Sequence, residues 1–374
     1  MAFRVLIVPD KFKGTLTATE AAQAIAQGWH AVRPADELEL LPMSDGGDGF
    51  GEILSRLLGA AEQRIETVDA AHRPCQAVWW WHSDSQTAII ESARVIGLAM
   101  LPPGRYHPFD LDTAGLGRVL VEAAARQPRC LLVGIGGSAT NDAGFGLATA
   151  LGWKFWRSDQ RPIETWTQLA ALACIQSPEH PLAVAELIVA VDVQNRLLGP
   201  NGCTCVYGPQ KGLRPEDFPK AEACLSRLAE VVRQQFGHDF ASEPGSGAAG
   251  GLGFGLRCFA GAKIQPGFEV FARLARLEDR IRASHLVLTG EGALDRSSLM
   301  GKGVGEVARL CCKLQVPCVA VAGAIADVEQ VRPSFSAVYG LVPDLTTQQE
   351  AMRHARFWLE TLARQVAGEL RVGM

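Results

Sequence analysis

Four short segments of the chain place glycines around carboxylates, amides or lysines, at residues 45–49, 134–142, 208–212 and 290–295. Glycine has no side chain, so its backbone N–H groups can approach an anion closely, and the N-terminus of a following helix attracts negative charge. The pattern predicts an enzyme that binds phosphate.

The loop 45–49 holds three glycines in five residues, more than a simple surface turn requires. Such a loop can bring Asp45 and Asp48 near a ligand, while the N–H groups of Gly46 and Gly47 face an anion. The alternative interpretation is a turn without a binding role.

The segment 134–142 follows a buried apolar run and then begins a helix. We expect Gly136, Gly137, Ser138, Asn141 and Asp142 to form a cradle for phosphate or a sugar acid. The glycine spacing does not match the dinucleotide fingerprint, which argues against a nucleotide-dependent oxidoreductase. The alternative is that Ser138 or Asn141 only caps the helix.

Charged side chains occur in three further loops. Lys11 and Lys13 follow the first predicted strand, where they could bind phosphate or carboxylate, and Lys211 is a second candidate contact for phosphate. Asp192 follows another buried run, with Asn195 three residues later, and a carboxylate there needs a cation, hydrogen bonds or a proton to transfer. The alternative for the lysines is a solvated turn.

Residues 289–303 resemble a phosphate-binding P-loop without matching it, because residue 296 is Arg and residue 303 is Gly. Lys302 remains a candidate phosphate contact. Glu291 and Asp295 are candidate ligands of Mg²⁺, which takes one or two carboxylates together with phosphate oxygens and water. The alternative for both acids is helix capping.

These loops need strands and helices to position them. Apolar runs predict strands at 5–8, 38–41, 131–135, 187–191, 286–289 and 318–322, separated by segments with helical spacing. Runs at 75–81 and 87–90 flank a polar turn and predict a hairpin. The fold class is therefore α/β.

We expect two domains with an active-site cleft between them. Residues 1–70 and 265–374 are predicted to build a discontinuous, Rossmann-like domain with a parallel sheet. Residues 71–264 are predicted to form an inserted second α/β domain, which contains the hairpin and a glycine-rich segment.

Composition limits the classes of function. The 374 residues carry a formal charge of −4, which provides no overall attraction to nucleic acid or to an anionic membrane. No run approaches the roughly 20 apolar residues of a membrane helix. The 10 scattered cysteines are interpreted as reduced core thiols, and we expect a cytoplasmic protein.

In the order of its motifs the whole chain resembles the type 1 glycerate kinases. The matching segments are 9–10 with 12–14, 42–43 with 45–47, 134–142, 191–193 with 195, 208–212, 245 with 247–253, 289–292 with 295, and 301–302. The resemblance implies a two-domain α/β fold that transfers the γ-phosphoryl group of ATP to a hydroxyl of D-glycerate with Mg²⁺, with 2-phosphoglycerate favoured as product. It implies a small-molecule substrate and a monomer or homodimer.

Several residues depart from the family pattern, which has Ser at Lys11, Glu at Asp48, Thr at Phe50 and Asp at Gln194, and a small residue near Arg94. These replacements are expected near the acceptor pocket. A kinase for another small hydroxy acid, or a non-catalytic relative that binds a sugar acid, is therefore the alternative function.

The resemblance leads to a hypothesis for the catalytic roles. Glu291 and Asp295 would hold Mg²⁺, and Lys13 and Lys211 would contact phosphate or the substrate carboxylate. Asp192 would accept the proton of the acceptor hydroxyl, and Asp45 is the alternative for this role.

Overall fold

Strands and helices alternate along most of the chain. The computed structural model describes residues 3–299 and 303–369. The strands are β1 (Arg4–Pro9), β2 (Glu37–Leu40), β3 (Ala61–Val68), β4 (Pro74–His82), β5 (Thr87–Glu91), β6 (Cys130–Gly134), β7 (Lys154–Arg157), β8 (Leu172–Gln176), β9 (Leu187–Val191), β10 (Lys263–Pro266), β11 (Leu286–Leu294), β12 (Cys318–Ile325) and β13 (Ala337–Val342). The helices are α1 (Ala18–Val32), α2 (Phe50–Leu58), α3 (Ala93–Ile96), α4 (Ala114–Ala125), α5 (Phe145–Ala150), α6 (Cys203–Lys211), α7 (Phe218–Phe236), α8 (Ala248–Phe259), α9 (Gly267–Leu274), α10 (Leu277–Arg282), α11 (Gly303–Leu314), α12 (Val328–Val331), α13 (Gln348–Arg353) and α14 (Ala355–Glu369).

Contacts divide the chain into two compact units, residues 1–45 with 268–374 and residues 46–267. The prediction instead had its first boundary after residue 70. Strand β3 explains the difference, because it pairs with β4 and therefore belongs to the sheet of the second unit. The α/β class is confirmed, whereas the division into functional domains stays a prediction.

The first unit contains a five-stranded sheet in the order β13-β12-β11-β1-β2, and every neighbouring pair is parallel. Residues 5–8 of β1 are fully buried, as expected for a strand with both faces of the sheet covered. The strand order places the carboxyl ends of β11, β1 and β2 side by side. The loops that follow these ends are therefore neighbours.

Helix α1 covers this sheet and packs against α14. Its N-terminus has a capping box, in which the Thr17 hydroxyl accepts from the Glu20 amide at 3.2 Å and the Glu20 carboxylate accepts from the Thr17 amide at 2.9 Å. Gly28 permits the close helix contact, because a Cβ there would lie 2.8 Å from the Cβ of Ala363.

The second unit contains a six-stranded sheet in the order β10-β9-β6-β5-β4-β3. Strands β10, β9, β6 and β5 are parallel, and β4 and β3 are antiparallel to their neighbours. The predicted hairpin at β4 and β5 is confirmed. The edge strand β3 had no strong apolar signal, since it alternates the charged residues Glu62, Arg64 and Glu66 with partly buried ones.

Helix α7 is amphipathic and buries Leu225, Leu228 and Val232 in the core. Helices α13 and α14 are separated at His354, and Met352 of α13 is 54% exposed.

The cysteines form no disulfide, and all ten are free thiols. Four of them are buried and two are exposed, so the expectation of core thiols holds for only part of the set. In the described part of the chain, no helix has the length and apolar character needed to span a bilayer.

Candidate active site

Carboxylates follow three neighbouring strands of the first unit. Asp10 follows β1, and its amide donates to the Gly290 carbonyl of β11 at 2.8 Å. Burial, followed by the charge of Asp45 and then more weakly that of Glu291, raises the pKa of Asp10 to about 7. The structure therefore brings the predicted acids Asp45 and Glu291 into electrostatic contact with Asp10. Asp10 was not predicted as a site residue, although its place directly after the first strand was a signal.

The two N-terminal lysines lie in the loop after β1. The backbone N–H of Lys11 donates to the Asp10 carboxylate at 2.7 Å, and the positive charge of Lys11 also lowers the Asp10 pKa. Lys11 is half-buried, whereas Lys13 is exposed. Gly292 permits this loop to approach β11, because a Cβ there would lie 3.2 Å from the Lys13 nitrogen.

Strand β11 extends to Leu294, five residues beyond its predicted end, because its pairing with β12 continues through Ala293 and Leu294. Glu291 therefore lies within the strand and is half-buried. Asp295 follows the strand and caps the turn Arg296–Leu299, where its carboxylate accepts from the Ser298 amide at 3.2 Å.

Glu291 and Asp295 are the predicted ligands of Mg²⁺, and the structure shows which oxygen donors lie in this region. In residues 3–299 and 303–369, no group of three His, Cys, Asp or Glu side chains is arranged to hold a metal. Mg²⁺ commonly uses only one or two carboxylates, with phosphate oxygens and water as its other ligands, so the oxygen donors present fit this mode. Lys302, a predicted phosphate contact, lies outside the described residues.

The glycine loop 46–49 lies in the second unit and leads into α2. The amides of Gly49 and Gly51 at the start of this helix donate to the Glu91 carboxylate, each at 2.9 Å. An internal carboxylate therefore occupies these N–H groups at the start of α2, whereas the N–H groups predicted to face an anion are those of Gly46 and Gly47. Asp48 is exposed, whereas Gly46 and Gly47 are buried.

The second glycine segment packs directly on this loop. The Gly136 amide donates to the Gly46 carbonyl at 3.2 Å, and a Cβ on Gly136 would lie 2.5 Å from the Cα of Gly47. Gly137 has φ +77°, and a Cβ there would collide with the Asp48 carboxylate. Close packing of two loops therefore accounts for these glycines.

Lys211 is a buried cation, with only 7% of its surface exposed. Its ammonium group donates to the Thr140 carbonyl at 2.6 Å and to the Ser138 hydroxyl at 3.1 Å. Burial lowers the pKa of Lys211 to about 8. The segment 208–212 is the end of helix α6, so the solvated turn considered from the sequence is not what the structure shows.

Some buried polar atoms in the segment that contacts Lys211 have no hydrogen-bond partner in the described part of the chain. Within the described residues, no carboxylate forms an ion pair with Lys211, and the side-chain oxygens of Thr140 and Asn141 are buried without a hydrogen-bond partner. The Asn141 amide nitrogen donates to the Thr204 hydroxyl at 3.2 Å. Buried polar atoms without partners are uncommon, so this cluster is a candidate ligand site.

Asp142 has a different environment from its neighbour Asn141. It is fully buried and accepts hydrogen bonds from the amide and hydroxyl of Thr113 and from the amides of Gly144 and Gly146, at 2.8 to 3.2 Å. Burial raises its pKa to about 6. These hydrogen bonds from within the protein indicate a structural role for Asp142, because they join the N-termini of α4 and α5.

Asp192 follows β9 and is exposed. Asn195 is bound within the protein, since its side-chain oxygen accepts from the Tyr207 hydroxyl at 2.6 Å and its side-chain nitrogen donates to the Asn201 carbonyl at 2.8 Å. Burial and then the charge of Asp192 raise the pKa of Tyr207 to about 12. Tyr207 was not predicted, although it lies four residues before Lys211 on one helical face.

Comparisons with known proteins identify the family. A family model described as "Glycerate kinase family" matches residues 5–371. The chain is 34% identical to "Glycerate kinase" of Halalkalibacterium halodurans, over 97% of each chain, and 32% identical to "Glycerate 2-kinase" of Escherichia coli, over 99% of each. A crystal structure assigned to glycerate kinase 2 from Salmonella typhimurium LT2 matches with a TM-score of 0.83 and 31% identity, over 98% of each chain. The predicted resemblance is confirmed: the chain belongs to the glycerate kinase family and is a kinase.

Proposed function

We propose that this protein phosphorylates D-glycerate with ATP as the donor and Mg²⁺ as the metal, and that 2-phosphoglycerate is the favoured product. The family and the names of its relatives support this substrate. The observation that carries the proposal is the Lys211 cluster, where a buried cation that forms no ion pair within the described residues contacts the Thr140 carbonyl, and where the side-chain oxygens of Thr140 and Asn141 have no hydrogen-bond partner. A cation beside hydrogen-bond acceptors suits a ligand that carries both an anion and a hydroxyl, as a hydroxy acid does.

Phosphoryl transfer requires the protein chiefly to align the two substrates and to neutralise charge on the transferred group. Lys13 and Lys211 bind phosphate or the acceptor carboxylate, and Ser138 keeps the Lys211 ammonium in place. Gly46, Gly47, Gly136 and Gly137 give the two packed loops their shape.

Glu291 and Asp295 are the residues that would hold Mg²⁺. The metal would supply positive charge to the phosphate oxygens when bound. The raised pKa of Asp10 supports a cation site nearby, because burial and, after it, the neighbouring carboxylates disfavour the charged form, and a cation would relieve that cost.

Asp192 accepts the proton of the acceptor hydroxyl. Its exposure at the end of β9 supports this role, since a general base must be accessible to the substrate. Asp45, which is half-buried, is the alternative base.

An assay of ADP release with D-glycerate tests the function, and phosphorus NMR of the product identifies the phosphorylated oxygen. Asp192→Asn is expected to lower kcat by about 100-fold or more, because general-base catalysis contributes that much. The matched control is Asp159→Asn, which removes an exposed carboxylate that pairs with Arg161 in the same unit. Unchanged kcat in Asp192→Asn would transfer the role to Asp45, and Asp45→Asn then tests it.

A panel of other small hydroxy acids tests the acceptor. Arg94 departs from the family pattern, but its guanidinium already pairs with Glu52 at 3.0 Å and lies 5.3 Å from the centre of the Trp80 ring. Because these intramolecular contacts already engage the Arg94 guanidinium, we expect D-glycerate to have the highest kcat/KM of the panel. Higher kcat/KM with another acid would contradict the substrate assignment.

A further inference from the structure

Glu91 is a buried carboxylate that the proposed reaction does not use. It is the last residue of β5 and is 4% exposed. Resting on the proposed function, we propose that Glu91 is a positioning residue, whose carboxylate holds the loop 46–49, and with it the predicted ligand contact Asp48, in the shape that the acceptor site requires.

The hydrogen bonds of Glu91 explain why a carboxylate is needed at this position. Each of its two oxygens accepts from one backbone amide, Gly49 on one side and Gly51 on the other, both at 2.9 Å. A carboxylate at a helix N-terminus also complements the helix dipole. A glutamine would offer one acceptor and one N–H₂ group, so one amide would face another donor.

The charge of Glu91 is partly compensated. Burial raises the pKa of this carboxyl group, and the amides and Arg94 oppose that shift, with the Arg94 guanidinium at 3.6 Å from the carboxylate. The negative charge of Asp48 acts weakly in the same direction as burial. Glu91 is therefore held by donors on one side and by a cation on the other.

The loop is also anchored at its other end. The Gly46 carbonyl accepts from the Gly136 amide at 3.2 Å, and Gly137 leaves room for the Asp48 carboxylate. Gly49 has φ +90°, a left-handed conformation that suits glycine. With both ends held, the exposed Asp48 between them has a defined position, and loss of the Glu91 anchor frees one end.

Glu91→Gln tests this inference in the full-length protein, with Glu52→Gln as the matched control. Glu52 also pairs with Arg94 but, within the described residues, accepts from neither amide of the loop. We expect hydrogen exchange of the Gly49 and Gly51 amides to be at least about tenfold faster in Glu91→Gln, because their acceptors are weakened. The control should match the wild type.

The kinetic readout separates positioning from a general loss of structure. In Glu91→Gln we expect KM for D-glycerate to rise and kcat/KM for D-glycerate to fall by about 100-fold, since small displacements in an active site have effects of that size, with KM for ATP unchanged. If Glu91→Gln does not fold, Glu91→Asp serves instead, because it keeps the charge but is too short to reach both amides.

Two results would overturn the positioning role: exchange of both amides at the wild-type rate, or equal changes in the KM values for ATP and D-glycerate. A wild-type protein that does not phosphorylate D-glycerate would overturn the proposed function. In that case, exchange of the Gly49 and Gly51 amides at the wild-type rate in Glu91→Gln would also overturn the role of Glu91 in holding the loop. Faster exchange would support that role, although the proposed function had failed.

Discussion

Residues with similar sequence signals have different roles once their partners are known. Asn141 and Asp142 are adjacent and were predicted together as ligands, yet Asp142 is saturated by internal donors while the Asn141 side-chain oxygen has no partner among the described residues. Lys211 and Lys13 were both predicted to contact phosphate, but only Lys211 is buried. Burial changes the electrostatics of a lysine, because desolvation disfavours its charged form.

The depressed pKa of Lys211 predicts a pH dependence of substrate binding. Lys211 loses its proton as the pH rises through about 8. If the charge of Lys211 binds an anionic group of ATP or of D-glycerate, the KM for that substrate should rise by about tenfold per pH unit above this pKa. The substrate whose KM rises is then the one that Lys211 binds. Steady-state kinetics between pH 7 and 10 measure the effect, and Lys211→Met should remove it. KM values that are independent of pH in the wild type would contradict an anion-binding role.

Stability supplies a readout for Lys211 that does not depend on activity. The pKa in the folded protein, about 8, lies below the unfolded value of 10.5, so the unfolded chain binds more protons between these pH values. Stability from this group therefore rises with pH across that window, by at most about 1.4 kcal/mol per pH unit. Thermal unfolding of Lys211→Met should lack this rise, and an identical pH profile in both proteins would exclude a buried charge.

At the scale of elements, the candidate site carboxylates lie at or after the ends of strands, and the candidate amide donors lie at the N-termini of helices. Asp10 and Asp45 lie in the loops that follow β1 and β2, and Glu291 lies in β11, the strand next to β1 in the same parallel sheet. In the second unit the amides of α2 bind Glu91, and those at the start of α5 bind Asp142. The sequence predicted helix starts at these glycine segments correctly but could not show that internal carboxylates would fill them.

Asp142→Ala tests the structural role of one such carboxylate. Removal leaves the amides of Thr113, Gly144 and Gly146 without their acceptor, so we expect a loss of about 3 kcal/mol of stability. Thermal unfolding measures the change. The KM values of the remaining folded enzyme should stay at wild-type levels. A stable variant with a raised KM for ATP or D-glycerate would instead indicate that Asp142 contacts a ligand, as the sequence predicted.

At the scale of the whole molecule, the chain forms two compact units with separate sheets. Residues 46–267 are continuous and contain two extended hydrophobic clusters, around Trp79 and around Trp166. The other unit needs both ends of the chain, because β1 lies between β2 and β11 in one sheet. A continuous segment with its own core meets the usual requirements for independent folding.

The fragment 46–267 is therefore expected to fold alone. Circular dichroism should show mixed helix and strand with a cooperative thermal transition, and the amide NMR spectrum should be well dispersed. The matched control is residues 1–45 alone, which lack the partner strand β11 and should be unfolded. A fragment 46–267 without a cooperative transition would show that its clusters depend on the rest of the chain.

The sequence by itself determined the α/β alternation, most strands and helix starts, and the family, because these depend on apolar periodicity and on ordered short motifs. Only the tertiary structure decided that Glu91 takes the amides of α2, that Lys211 is buried and that Tyr207 holds Asn195. The first two contacts join residues up to 42 and 73 positions apart. Such pairs are set by strand order and loop packing, which local patterns do not encode.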